Sequence, residues 1–310
     1  MTRFKLLTVM CILIGLAAYV VPAQEPNEDL GREPAQEPSD ETDREKREEM
    51  EVSSRVDWRS SRFHLDIRMP IPEDARNSPA SSFGAEQTVK AELPHILRRE
   101  AARIQVDSYE SLEQRYSSQT DLAVEIAGLA DELDPITNRQ TPDLRFLRLE
   151  YAIDLYPHVI SPFIDHSRTR SLPRIVSWRP SREFTGVVIY AKGRLPVHGE
   201  NRRAQVRPAL LPDILFGEQT DVLMEPNRID PEVLEEQGAV AYATSYDDPI
   251  VAERAGSLPF RTSAVGVFGR TATDPIIPRE DAESFFAEPG NHQLIREGRI
   301  VIILEESQLN

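Results

Sequence analysis

The sequence predicts an α+β protein: two small α+β domains with mixed sheets behind an acidic leader expected to be disordered. Three observations carry this. Two apolar periods coexist. Phe63, Leu65 and Ile67 alternate with polar residues, the period of a half-buried strand, while Leu122, Ile126, Leu129, Ala130 and Leu133 fall at helical spacing. Unbroken apolar runs at Gly186–Ala191 and Arg299–Leu304 read as strands buried on both faces. Proline is frequent (24) and glycine sparse (14), which predicts many short elements joined by stiff corners.

Residues 1–23 have the pattern of a secretory signal peptide. Arg3 and Lys5 precede an apolar run, Leu6–Val21, and Val21-Pro22-Ala23 places small residues before Gln24. The run is shorter than the roughly 20 residues of a spanning helix. The expected location is the periplasm, with no membrane insertion after cleavage; an uncleaved anchor is the competing reading. The single cysteine, Cys11, lies midway through the run, which argues against lipidation. Its removal leaves no thiol, disulfide or thiolate metal site. Residues 24–51 hold twelve acids and four bases with almost no large apolar group, so this segment is expected to be a disordered tether.

Residues 52–166 are predicted as the first domain, in the order strand, helix, helix, strand. The first strand lies within Arg55–Ile71 and ends at Pro70 and Pro72. Ala80–Ile104 is mostly helical, with Phe83, Val89, Leu93, Ile96 and Leu97 on one face and Pro94 as a kink or a new start. A short strand at Ile104–Val106 is an option. Thr120–Leu133 is a helix with Thr120 as its N-cap. Leu144–Leu155 is a long strand with one solvated face.

Ser167–Arg174 lacks apolar periodicity and marks the boundary. Residues 175–310 are the second domain, organised around a pair of segments: the strand Gly186–Ala191 and the apolar stretch Val206–Leu215, joined by a polar hairpin. Then come an extended piece at Asp221–Met224 and a helix at Pro231–Gln237, with Asp230 as N-cap and Gly238 as C-cap. A strand at Ala239–Thr244 and a helix at Pro249–Ala255 follow. The chain continues with strands at Pro259–Phe268 and Asp274–Ile277, a helix at Pro278–Ala287 and a last strand at Arg299–Leu304. Val56-Asp57-Trp58-Arg59-Ser60-Ser61-Arg62 echoes Val176-Ser177-Trp178-Arg179-Pro180-Ser181-Arg182 at five of seven positions. These stretches hold the only two tryptophans.

The net charge of −16, half of it in the tether, makes nucleic acid and anionic membranes poor partners. No nucleophile elbow, phosphate loop, dinucleotide fingerprint or His-Glu-x-x-His occurs. The six histidines have no metal-ligand spacing. No catalytic, cofactor-binding or metal residue is therefore assigned, and no cofactor is expected. Asp165-His166 reads as a loop pair, because adjacent side chains diverge. Glu280-Asp281 and Glu132-Asp134 read as helix-end acids. Trp58, Trp178, Tyr190 and His198 are the candidate partner-contact or platform residues.

Thr185-Gly186-Val187-Val188-Ile189-Tyr190-Ala191-Lys192-Gly193 resembles a strand motif of FlgP- and FlgT-like bacterial flagellar envelope proteins and related small lipoproteins. The resemblance continues through Pro208–Leu215, Asp230-Pro231 to Ala243, and Leu294–Leu304. The whole chain also looks like periplasmic proteins of spirochaete type. The resemblance implies a non-enzymatic protein assembled with envelope or flagellar proteins, with oligomerisation open. The missing lipoprotein cysteine and the acidic tether depart from the flagellar pattern. The alternative is an envelope glycan-binding module or a glycan hydrolase. A pocket with two carboxylates within roughly 5–10 Å would favour hydrolysis, and a concave aromatic patch near Trp58, Trp178 or Tyr190 would favour glycan binding.

Overall fold

The computed structural model describes residues 50–73, 79–172 and 178–309. The stretch read as a signal peptide, and nearly all of the segment read as a tether, lie outside the described residues. So do Val176 and Ser177 of the second tryptophan stretch.

The N-terminal half is an antiparallel sheet backed by helices. Its strands are β1 (Glu51–Asp57), β2 (Arg62–Pro70), β3 (Asp134–Gln140) and β4 (Phe146–Asp154), in the order β1-β2-β4-β3. Alternation decides the inner face. Phe63, Leu65, Ile67 and Met69 of β2 lie opposite Ile153, Tyr151, Leu149 and Leu147 of β4, and all eight are buried. Helix α1 (Pro79–Ala101) covers that face with Val89, Leu93, Ile96 and Leu97. It runs through Pro94. Phe83, expected on the same face, is instead 63% exposed near the helix start. Two shorter helices follow, α2 (Leu112–Ser118) and α3 (Thr120–Gly128).

The expected strand–helix–helix–strand order is therefore corrected. The edge strands β1 and β3 are additional, and β1 takes in Glu51, which the tether had included. Both are polar and half-exposed, so neither carries the apolar pattern that announces a strand. Gln119, not Thr120, precedes α3. Leu147 keeps the inner phase of β4, whereas Leu144 has positive φ and is exposed.

The C-terminal half holds a parallel sheet, β10-β14-β5-β11, made of Ala241–Ala243, Ile300–Ile303, Val187–Tyr190 and Phe260–Ser263. β5 and β14 are its inner strands, as their apolar runs predict. Successive side chains go to opposite faces. Val188, Val301, Ile303 and Ala243 meet Val251 and Ala255 of helix α5 (Pro249–Ala255) on one face. Val187, Ile189, Ile300 and Ile302 join the main core on the other. A second, mixed sheet has the order β12-β13-β8-β9 (Gly266–Phe268, Asp274–Ile277, Ile214–Phe216, Asp221–Met224). A two-stranded hairpin, β6 (Leu195–Pro196) and β7 (Arg203–Ala204), projects between them in sequence.

Helix α4 (Pro231–Gln237) has Asp230, Pro231 and Gly238 at the expected cap positions. Asp248 caps α5, accepting from the Ile250 N–H. Helices α6 (Arg279–Phe286) and α7 (Asn291–Arg296) complete the chain, α7 being unforeseen.

Two expectations are overturned. Val206–Leu215 does not pair with β5. Pro208 and Pro212 lack N–H donors, so only its end enters a ladder, as β8 in the other sheet. Pro259–Phe268 is not one strand. It leaves β11 at Ser263 and resumes as β12 in the mixed sheet, with Val265 at the corner 53% exposed.

Candidate functional site

The four residues singled out from the sequence do not converge. Trp58 is 8% exposed and packs edge-to-face on Tyr242, ring centroids 5.7 Å apart. It is a core residue rather than part of a platform. Trp178 is 98% exposed. Tyr190, half-exposed at the end of β5, stacks on Tyr246 at 6.2 Å, and the Arg261 guanidinium lies 5.1 Å from the Tyr246 ring. His198 stands at the rim of a separate groove.

That groove has a volume of about 710 Å³ and lies on the C-terminal half. One wall is Pro196, Val197 and His198 of the β6–β7 hairpin. The floor is Val265, Gly266 and Ile276, and the far wall runs from Gly217 to Gln219 and from Pro278 to Glu280. The hairpin is fixed against the sheet by two devices. Val197 bridges Val267, and the His198 N–H donates to the Val267 carbonyl at 2.9 Å. The His198 ring lies 6.0 Å from Phe268, which also meets Tyr109 edge-to-face at 6.3 Å. Arg279 on the far wall is paired with Asp221 at 2.5 Å. Val265 is exposed because the chain changes sheets there, a turn that periodicity does not reveal.

Sequence reasoning missed a second concavity. A cleft of about 310 Å³ is lined by Asp107, Arg115, Asp165, Asn227, Asp213 and Asp274, among others. Asp274 opens β13 and is 1% exposed. Its carboxylate accepts from the Asp213 N–H at 3.1 Å and from the Thr273 hydroxyl at 2.8 Å. Burial is the main force on both acids, and their mutual repulsion adds to it for Asp213. The Asp213 carboxyl is pushed up to about 7 and that of Asp274 to about 6. Arg115 does not offset this, because it is held by Asp107 at 2.8 Å and Glu110 at 2.7 Å. Asp213 and Asp274 are far apart in sequence and carry no motif, so only the fold reveals them. Asp165 and His166 are not hydrogen-bonded: the exposed Asp165 Oδ1 stands 3.8 Å from His166 Nδ1, and His166 Nε2 lies 3.0 Å from the Ile229 carbonyl.

A further concavity, about 820 Å³, contains Trp58, Tyr156, Arg254 and Arg299. Arg254 is 8% exposed and spends its guanidinium on structure. It donates to the Gly298 and Gly238 carbonyls and to Gln237 Oε1, each at 2.6 Å. Burial lowers its pKa to about 10. Among the described residues no group of three or more His, Cys, Asp or Glu side chains is arranged to hold a metal ion. No described helix is long and apolar enough to cross a membrane.

Comparison with known families gives two matches. Residues 49–162 match the family described as the N-terminal domain of Treponema pallidum Tp0624, and residues 186–306 match the family of its second domain. Neither match is to a FlgP- or FlgT-like family. No curated protein matches the chain. Over two successive stretches that together span most of its length, the chain is similar to the spirochaete protein Treponema pallidum Tp0624, domain for domain and in the same order.

Proposed function

We propose that this is a non-catalytic periplasmic protein that works by protein–protein contact in the cell envelope, with the groove beside His198 as its contact surface. The observation that carries this reading is the apolar floor, where Val265 is exposed beside the buried Ile276, walled by a hairpin that the sheet holds in place. Preformed apolar grooves with a few polar rim groups are what extended partner segments occupy. Export rests on the residue 1–23 pattern, and the spirochaete match is compatible with an envelope setting. A flagellar attachment rests on the motif resemblance alone.

A photo-crosslinking amino acid at position 265 tests it. The expected result is an adduct with an envelope protein that Ile276→Asp suppresses. An adduct unaffected by Ile276→Asp, or none at all, sinks the groove reading.

A second reading, glycan hydrolysis, has one observation in its favour: the half-buried Asp213 beside the buried Asp274, both with the raised pKa of a general acid. Release of soluble fragments from purified peptidoglycan, abolished by Asp274→Asn, would replace the non-catalytic reading with this one.

A further inference from the structure

We infer that the segment seated in the groove is an acidic stretch of a partner protein, read by a cationic rim on the β6–β7 hairpin; this rests on the groove reading proposed above. Residues 192–207 contain Lys192, Arg194, Arg202, Arg203 and Arg207 against one acid, Glu200, in a chain of net charge −16. Glu200 is consumed by Arg202 at 2.5 Å. Arg270, whose carbonyl accepts from Arg202, adds a further cation at the same place.

Elsewhere on the surface many arginines are neutralised: Arg59 by Asp248, Arg62 by Asp134 and Asp154, Arg148 by Asp66 and Glu150. On the hairpin the partners are carbonyls. Arg194 donates to the Arg203 carbonyl at 2.8 Å, and Arg203 donates back to the Arg194 carbonyl at 2.6 Å. Arg270 donates to the Tyr109 carbonyl at 2.5 Å. A carbonyl orients a guanidinium without cancelling its charge. Among the described residues, Lys192, Arg194, Arg203, Arg207 and Arg270 have no carboxylate within the 4.0 Å of an ion pair. The four arginines of this set are exposed.

The charge adjoins the groove through the hairpin, although none of these cations is among the groove's own lining residues. Arg203 lies opposite Pro196 in the hairpin register, and Pro196 is part of the groove wall. The opposite wall carries Glu218 and Glu280, so the field across the groove is polarised. An extended segment with apolar side chains toward the floor and acids toward the hairpin satisfies both. A protein segment fits better than an anionic bilayer. Screening confines the rim's attraction to about 8 Å, so a narrow strand feels the rim alone. A bilayer also faces the repulsive remainder of the molecule.

The test is fluorescence anisotropy of the full chain with three labelled peptides of about twelve residues, alternating Val with Glu, with Ser or with Lys. The Val/Glu peptide is expected to bind and the Val/Lys peptide to fail. Lys192→Glu with Arg207→Glu should weaken Val/Glu binding by about tenfold or more and flatten its salt dependence. Neither of these side chains is used in a hydrogen bond of the fold. A matching urea midpoint, and the milder Lys192→Gln with Arg207→Gln pair, separate lost charge from lost structure. Equal affinity for Val/Ser and Val/Glu overturns the inference and leaves the groove reading standing. So does capture by phosphatidylglycerol vesicles in preference to any peptide, or self-association that the same substitutions abolish. No peptide binding with the position-265 adduct retained overturns the acidic segment alone; loss of both overturns both.

Discussion

Trp58 and Trp178 occupy the same place in two similar seven-residue stretches, yet their surroundings differ completely. Trp58 sits at the end of β1, where its N–H donates to the Leu309 carbonyl at 2.9 Å and its ring meets Tyr242. Tyr242 in turn accepts from the Ala209 N–H and donates to the Ala209 carbonyl, both at 2.9 Å, so burial of its hydroxyl leaves no polar atom unpaired. Trp58→Ala should therefore cost about 3 kcal/mol or more, by loss of buried aromatic area and the cavity left behind. Trp178→Ala should stay within about 0.5 kcal/mol. Urea midpoints measure both, and equal effects would show that the echo reflects a shared structural role. The sequence could not separate the two, because the partners that bury Trp58 come from the far half of the chain. The same limit hid Asp213 and Asp274. His198, by contrast, was legible from its place in a Gly- and Pro-flanked polar connection, which forms a hairpin.

At the scale of elements, legibility followed burial. β5 and β14 were readable because nearly every residue in them is buried, which forces apolar runs, and α4 and α5 because cap residues bracket them. β1 and β3 were not, since an edge strand with one solvated face needs no such pattern. The corner at Ala264 and Val265 was lost because an apolar run is blind to a change of sheet. Gly186 illustrates what element packing demands. A Cβ there would lie 2.5 Å from Ala255 Cα and 2.6 Å from its carbonyl oxygen, so β5 and α5 approach backbone to backbone. The obstacle is main chain, which cannot rotate away. The Thr185 hydroxyl holds the same approach by donating to the Ala255 carbonyl at 2.7 Å. Gly186→Ala is expected to destabilise by about 2 kcal/mol or more through forced separation of the two elements. Thermal unfolding of the variant reads this directly; an unchanged midpoint would mean that α5 is free to shift.

In the whole molecule the two family-matched regions share one continuous core, which runs from Trp58 through Leu155 to Leu309. Main-chain bonds cross between them. The Leu210 N–H donates to the Gln105 carbonyl at 3.0 Å, and the Leu211 N–H to the Val106 carbonyl at 2.7 Å. The acid pair lies beside this seam, with Asp107 and Arg115 from one side and Asp213 and Asp274 from the other. Its proton linkage is thus a property of the assembled molecule. Both acids have folded-state pKa values, about 7 and about 6, above the ordinary 3.8. The folded state binds the extra protons, so this contribution to stability is fully present below the ordinary value and is lost as pH rises through 6 to 7. His64, whose pKa burial lowers, works in the opposite direction on acidification. Asp213→Asn isolates the pair. It should be more stable than the parent at pH 8, by on the order of 1–3 kcal/mol, and nearly equal to it only near pH 3.5, below the ordinary value. Urea titrations at the two pH values decide; a variant no more stable at pH 8 would show that the cleft solvates both charges. The placement of β14 between β10 and β5 has a different kind of consequence. Until residues near 300 have taken their place, the slot they fill stays vacant, and the facing edges of both flanking strands present bare ladder groups. A chain cut short of that point is an invitation to cross-pairing with another copy, so the last strand guards this protein against aggregation.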